Sequence, residues 1–171
     1  MKVIKFGGSS LANAKCFKHV AEIIHGYSQN SAVATVLSAP QGITNDLVAL
    51  TENLTLSNDE NFQAQLNVIE QKLLQIITDS SVCCPEINKE QIENEYSVLI
   101  ARLKQLVQGT RLIEHCPETT LAEILITGEK FSILLLDGFL MTYGHQVTKI
   151  NPLKFLTTDD YSSEPVARSG A

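Results

Sequence analysis

The chain opens directly on a strand and closes it with glycines. Met1-Lys2-Val3-Ile4-Lys5-Phe6 is short and apolar, meets Gly7-Gly8 and two hydroxyls, Ser9 and Ser10, and then enters a helical pattern. That helix is expected over residues 13–27, with Asn13 as its N-cap and Phe17, Val20, Ala21 and Ile24 as its buried stripe. A second β-branched run follows at residues 32–37. Strand, helix and strand with short links form a βαβ unit, which requires parallel strands and a right-handed crossover. Both post-strand loops then lie on one rim, where parallel sheets collect their ligands. A strand that ends in glycines and starts a helix makes a cup of backbone N–H groups. With a lysine beside it, such a cup suits the phosphates of a nucleotide.

The middle of the chain reads as helices. A helix is expected from about Thr44 to Leu54, after the loop Ser38-Ala39-Pro40-Gln41-Gly42. Ser57-x-x-Glu60 has capping-box form and precedes a stripe of Leu66, Ile69, Leu73 and Ile76 or Ile77. Asn88-x-x-Gln91 carries a similar signal ahead of Ile92, Tyr96, Leu99, Leu103 and Leu106. The linker from Asp79 to Ile87 turns the chain back, giving a helical hairpin outside the sheet. Thr120-x-x-Glu123 is read as the start of one more helix reaching Tyr143, with Gly144 as its stop. A third strand is expected at residues 146–150, and residues 156–171 are expected to form a poorly structured tail.

Composition excludes several classes. The net charge of −6 and the absence of a basic face argue against nucleic-acid binding. No apolar run approaches the ~20 residues that span a bilayer, and no targeting segment is visible, so a cytoplasmic protein without a membrane partner is expected. Cys16, Cys83, Cys84 and Cys116 lack metal-ligand spacing and are read as free thiols, so no metal site is assigned to the protein's own side chains. His19, His25, His115 and His145 form no triad.

Three patches carry candidate chemistry, and each also has a plain reading. Lys5 with Gly7-Gly8 is either a strand ending in a tight turn or a phosphate cradle in which Lys5 stabilises charge on a transferring phosphoryl group. The loop from Ser38 through Thr44 and Asn45 is either a turn with a Thr44 helix cap or a pair of hydroxyl donors for a small anion. Thr127-Gly128-Glu129-Lys130-Phe131-Ser132 interrupts an apolar helix. It is either a solvent strip packed closely at Gly128, or it sets Glu129 toward the cleft to accept an ammonium group. The three patches are expected to border one hollow.

Taken together they resemble the opening of an aspartokinase over about residues 1–155. The resemblance rests on Lys5-Phe6-Gly7-Gly8-Ser9-Ser10, on Ser38-Ala39-Pro40 with Gly42-Ile43-Thr44-Asn45, and on Gly128-Glu129-Lys130-x-Ser132. Ser-Ala-Pro and Cys116-Pro117 point to the bifunctional aspartokinase–homoserine dehydrogenase branch. The resemblance implies an α/β amino-acid-kinase (carbamate-kinase-like) fold, here its N-terminal lobe over residues 1–155, with a parallel sheet flanked by helices and a helical hairpin insertion. It also implies ATP with Mg²⁺, L-aspartate as substrate and a homo-oligomer. Lys5, Phe6, Gly7, Gly8 and Ser9 would bind ATP, with Lys5 catalytic. Ser38, Thr44 and Glu129 would hold aspartate. The family's adenine pocket, substrate arginine and catalytic aspartate are not found in this sequence, so an N-terminal piece, inactive alone and prone to self-association, is expected. The alternatives are another amino-acid kinase or a non-catalytic interaction module.

Overall fold

A computed structural model describes residues 1–52, 59–150, 156–158 and 167–169. Strand β1 (Lys2–Phe6) pairs in parallel with β2 (Val33–Leu37), Lys2 opposite Val33 and Phe6 opposite Leu37. Between them, a 3₁₀ turn (Gly8–Leu11) leads into α1 (Ala14–Ser28). Asn13 caps α1 by accepting from the Cys16 N–H at 3.1 Å, and Phe17, Val20, Ala21 and Ile24 are buried, as the spacing predicts. Helix α2 (Ile43–Glu52) follows the β2 loop, then α3 (Asp59–Cys83) and α4 (Lys89–Ile113) form the expected hairpin. Asn88 caps α4 through the Gln91 N–H at 3.1 Å. Helices α5 (Glu118–Leu125) and α6 (Thr127–Thr142) complete the body.

Alternation splits the small sheet into two unlike faces. Ile4, Phe6, Val33 and Leu37 face α1 and join the core, whereas Val3, Lys5, Ala34 and Val36 share the opposite face. On that second face Val3 is 68% and Val36 52% exposed. The core is instead organised around α6, which packs against both α1 and α4 and is buried on almost every side. Phe131 is its centre: Phe17 of α1 and Tyr96 of α4 both meet it edge-on, with ring centroids 6.5 and 6.2 Å away. An edge-to-face pair adds about 0.5–1.5 kcal/mol beyond its burial.

Several expectations are corrected. Residues 146–150 form no strand. The Lys149 ammonium is drawn instead to Asp137 of α6 at 2.8 Å and Glu95 of α4 at 3.0 Å, which holds the segment against those helices and away from the sheet. The helix expected from Thr120 to Tyr143 is two helices that meet at Ile126, and the first begins at Glu118 behind Pro117. Helix α3 runs on to Cys83, so the turn between the hairpin arms is shorter than the Asp79–Ile87 stretch suggested. On α4 the buried register is Ile92, Tyr96, Ile100, Leu103 and Val107; Leu99 and Leu106 flank it, half-buried. Two further short strands, β3 (Leu156–Thr158) and β4 (Ala167–Ser169), pair antiparallel in a stretch where no strand was expected. The Ser57 half of the capping box lies outside the described residues.

Candidate functional site

Parallel register brings the two strand ends together. The Ser38 N–H donates to the Phe6 carbonyl at 3.0 Å, extending the ladder one step past β2 and fixing the second loop beside the first. After Phe6 the chain turns tightly, with the Ser10 N–H donating to the Gly7 carbonyl at 3.0 Å. A Cβ placed on Gly8 would stand 3.0 Å from the Ala39 carbonyl oxygen and 3.6 Å from the Gln41 Cα, so the two loops touch backbone to backbone. Gly7 differs: a Cβ there would meet nothing within 4 Å, and its φ of −82° is one any residue adopts. Neither packing nor backbone strain demands glycine at that position, whereas a phosphate approaching the main chain would.

The third patch meets the same point. A Cβ on Gly128 would fall 2.5 Å from the Ala39 Cβ and 3.1 Å from Ile43 Cγ2. Ala39, only 2% exposed, is therefore wedged between the glycine turn on one side and the first turn of α6 on the other. The break at Ile126 makes this possible, because it ends α5 and lets α6 start with Thr127 and Gly128 against the loop. Arg102 of α4 fixes α5 ahead of that break through a two-pronged pair with Glu123, at 2.9 and 3.0 Å. Those hydrogen bonds hold the Glu123 carboxyl below its ordinary range.

The individual side chains are disposed as follows. Lys5 is exposed, leaves the sheet on its open face opposite Val36, and has no ion-pair partner among the described residues. The Phe6 ring is buried in the core and its backbone is paired with β2 and Ser38, so it shapes the turn and offers a ligand no free group. Gly7 and Gly8 are half-buried and Ser9 is exposed. Ser38 is half-buried beside Ala39. Thr44 is exposed within the first turn of α2 and does not cap it, since the Gly42 carbonyl receives the first helical bond, from the Asp46 N–H at 3.0 Å. Glu129 is half-buried, and its Oε2 is enclosed without a hydrogen-bond partner. A carboxylate oxygen in that condition calls for a donor. The glycine turn, the Ser38–Thr44 loop and the Gly128 turn thus adjoin one another at Ala39, while the Lys5 side chain leaves the opposite, open face of the sheet. Ala39 belongs to the Ser38-Ala39-Pro40 motif, but its role as the residue on which the three turns meet follows only from the packing.

No group of three or more His, Cys, Asp or Glu side chains that could hold a metal occurs among the described residues, and no described helix is long and apolar enough to cross a membrane. The surface around Ala39 presents the glycine turn, the Ser38 and Thr44 hydroxyls and a carboxylate whose Oε2 is unpaired, with Lys5 on the open sheet face.

Comparison with known proteins agrees with this architecture. The chain matches the model of the amino acid kinase family over residues 1–168. It is 35% identical over 168 residues to the bifunctional aspartokinase/homoserine dehydrogenase of Buchnera aphidicola, covering 97% of this chain and 20% of that relative. It is 32% identical over 158 residues to the Haemophilus influenzae protein of the same description, covering 91% and 19%. Among solved structures, Escherichia coli aspartokinase III in complex with aspartate and ADP superimposes with a TM-score of 0.78 at 26% identity, over 98% of this chain and 35% of that one. The chain spans about a fifth of the length of the curated bifunctional relatives it matches. The fold anticipated from the three motifs is the one found, and the chain belongs to the amino acid kinase family.

Proposed function

We propose that this chain supplies the nucleotide-cradling and substrate-holding N-terminal part of an aspartate kinase. The overall reaction moves the γ-phosphoryl group of ATP to the β-carboxylate of L-aspartate. A carboxylate oxygen forms the new P–O bond, the bond to the β-phosphate oxygen breaks, and ADP and an acyl phosphate leave. Phosphoryl transfer of this kind needs little covalent help from the protein, so its catalysis rests on positioning and charge.

On this reading the backbone N–H groups at Gly7, Gly8 and Ser9 hold phosphate oxygens, with Phe6, whose backbone pairs with β2, fixing where that turn begins. Lys5, without an acidic partner among the described residues, offsets charge on the phosphoryl group in transit. Ser38 and Thr44 donate to the aspartate carboxylates, and Glu129 accepts from its ammonium group. Mg²⁺ would neutralise the phosphates when bound. No group of three or more His, Cys, Asp or Glu that could hold it occurs among the described residues. We place this function in residues 1–155, in a cytoplasmic and homo-oligomeric protein. The free state of Cys16, Cys83, Cys84 and Cys116 is in keeping with a reducing compartment.

One observation carries the reading: three separate motifs close on Ala39. The aspartate and ADP bound by the solved aspartokinase III support the choice of ligands. The test is amide chemical-shift mapping on the 171-residue chain. ADP should perturb Gly7 and Gly8, and L-aspartate should perturb Ser38, Thr44 and Glu129. Lys5→Ala should weaken ADP at least about tenfold, roughly the loss of one charge-assisted contact, with no change in fold. Saturation by either ligand with those amides unmoved overturns the assignment. Indifference to both favours a non-catalytic module.

A further inference from the structure

Helix α6 ends on a Schellman turn. Gly144, at φ +76°, donates its N–H to the Met141 carbonyl at 2.9 Å, and the His145 N–H reaches back to the Leu140 carbonyl at 3.2 Å. The turn carries the His145 side chain to the last turn of α1, 120 residues away in sequence, where its Nε2 lies 2.9 Å from the His25 Nδ1. On the other side of Gly144, the Tyr143 ring stacks on His25 with centroids 4.7 Å apart. Both histidines are half-buried.

Ring nitrogens at that distance share a proton, and a neighbouring hydroxyl decides which ring holds it. The Ser28 Oγ donates to the His25 carbonyl at 2.7 Å, so toward the His145 Nε2, 3.4 Å away, it can only accept. The shared proton therefore sits on the His145 Nε2 and is donated to the His25 Nδ1. A first added proton enters at the His145 Nδ1, away from the contact, and makes the bond charge-assisted and stronger. A second must enter at the His25 Nδ1. It sets two donors and two positive charges against each other, and the bond is lost.

We propose that His25 and His145 form an acid-released clasp between α1 and the chain leaving α6, closed while the pair carries one added proton or none and open when both rings are charged. The ionisable groups around it are Lys18 and Glu22 of α1, Cys84 and Glu86 of the turn between α3 and α4, and Tyr143 itself, with Lys2 of β1 over the nearby Tyr27 ring at 3.9 Å. Side chains of those types ordinarily keep their charge between about pH 5 and 8, and burial raises the Tyr143 phenol further from that window. The imidazoles alone drive the change. Opening frees the chain after α6 from α1, while Lys149 still holds it to Asp137 and Glu95. The clasp stands on its own contacts and does not depend on the kinase reading.

The experiment is a double-mutant cycle of His25→Gln and His145→Gln on the 171-residue chain, read by urea unfolding without ligand. The coupling between the two sites, expressed as a factor in the unfolding equilibrium constant, should be about fivefold at about pH 8.5, the worth of one neutral hydrogen bond. It should exceed about tenfold at about pH 6.5, where one added proton is shared, and fall below about threefold at about pH 5. His19→Gln, which removes the exposed imidazole 3.5 Å from Glu22, should leave that profile in place. Coupling absent at about pH 6.5 overturns the contact, coupling undiminished at about pH 5 overturns the release, and a profile flattened by His19→Gln overturns the assignment to this pair. Histidine ring ¹⁵N shifts of the wild-type chain need no variant. The His145 Nε2 should stay protonated from about pH 8 to 5, and the His25 Nδ1 should be the last of the four ring nitrogens to gain a proton. A His25 Nδ1 that is protonated first overturns the proposal.

Discussion

Replacing glycine by alanine inside a helix ordinarily stabilises a protein, so a site where the sign reverses exposes the packing directly. Gly128 is such a site. A methyl group there would stand 2.5 Å from the Ala39 Cβ, against an ordinary carbon–carbon contact of about 3.5–4.0 Å. The obstructing atom is attached to the loop backbone, so relief requires α6 or the loop to shift by about 1 Å. Overpacking of this kind costs about 1–3 kcal/mol, and the better helix propensity of alanine returns at most about 1 kcal/mol. The expected net loss is about 1–2 kcal/mol, a fall in Tm of about 3–6 °C for a chain of this size. Gly26 of α1 and Gly109 of α4 serve as controls, since a Cβ on either meets nothing within 4 Å. Alanine at each should raise stability by about 0.5–1 kcal/mol. Gly138 stands between these cases: its methyl would fall 2.6 Å from Ile92 Cδ1, the tip of a flexible side chain, and the cost should be smaller than at Gly128. Thermal unfolding followed by far-UV circular dichroism ranks all four. Ala39→Gly introduced with Gly128→Ala should recover part of the loss. If Gly128→Ala stabilises the protein as Gly26→Ala does, the close approach of α6 to the loop is wrong, and the shared site falls with it.

Lys149→Met should cost about 1 kcal/mol at neutral pH, well below the figure for a fully buried pair because the Lys149 side chain is 41% exposed. Burial acts to lower the Lys149 pKa, but its hydrogen bonds to Asp137 and Glu95 outweigh this and leave it raised; its contribution holds at low and neutral pH and is lost as pH climbs through that raised value. Burial acts to raise the Glu95 pKa, but Gln91 and Lys149 outweigh it and leave it lowered, so its contribution is lost as pH falls through that lowered value. The wild-type advantage should therefore span about pH 5 to 10 and shrink on both sides, and a difference between wild type and variant that is constant down to acid pH contradicts the network. The open sheet face of Val3, Ala34 and Val36 should drive self-association, with a light-scattering mass above the monomer at micromolar concentration that Val36→Glu reduces; a monomeric wild type refutes this. Because the chain spans about a fifth of its bifunctional relatives, a coupled assay should detect no aspartate-dependent ADP release from it alone, and turnover abolished by Lys5→Ala would contradict that expectation.

The parts legible in the sequence are those fixed by local rules. Asn13 and Asn88 cap their helices because a short side-chain acceptor three residues before a free N–H is a local arrangement, and the stripe on α1 is likewise a matter of spacing. Residues 146–150 misled because β-branched content marks a strand only when an edge is available to pair with. Lys149 finds Asp137 and Glu95 first, both distant in sequence, and no local pattern encodes that preference. The α4 stripe was partly misassigned because several leucines compete over its length, and only the meeting of Tyr96 with Phe131 selects between them.

The break at Ile126 is the most instructive of these. A continuous apolar run gives no local reason to stop a helix, and the sequence around Thr127 reads as a polar blemish in one long element. The structure turns that blemish into the start of α6, and the reason is steric. Ala39 needs a partner without a side chain, and Gly128 provides it only if the helix axis restarts beside the loop. Glu129, half-buried with its Oε2 unpaired, and the buried Ser132 follow in the same first turns of α6. A glycine that weakens a helix, a carboxylate without a partner and a hydroxyl without a partner are each unfavourable alone. They share one helix end, where Gly128 gives the loop its close approach at Ala39, so the packing that brings α6 to the loop outweighs these local costs.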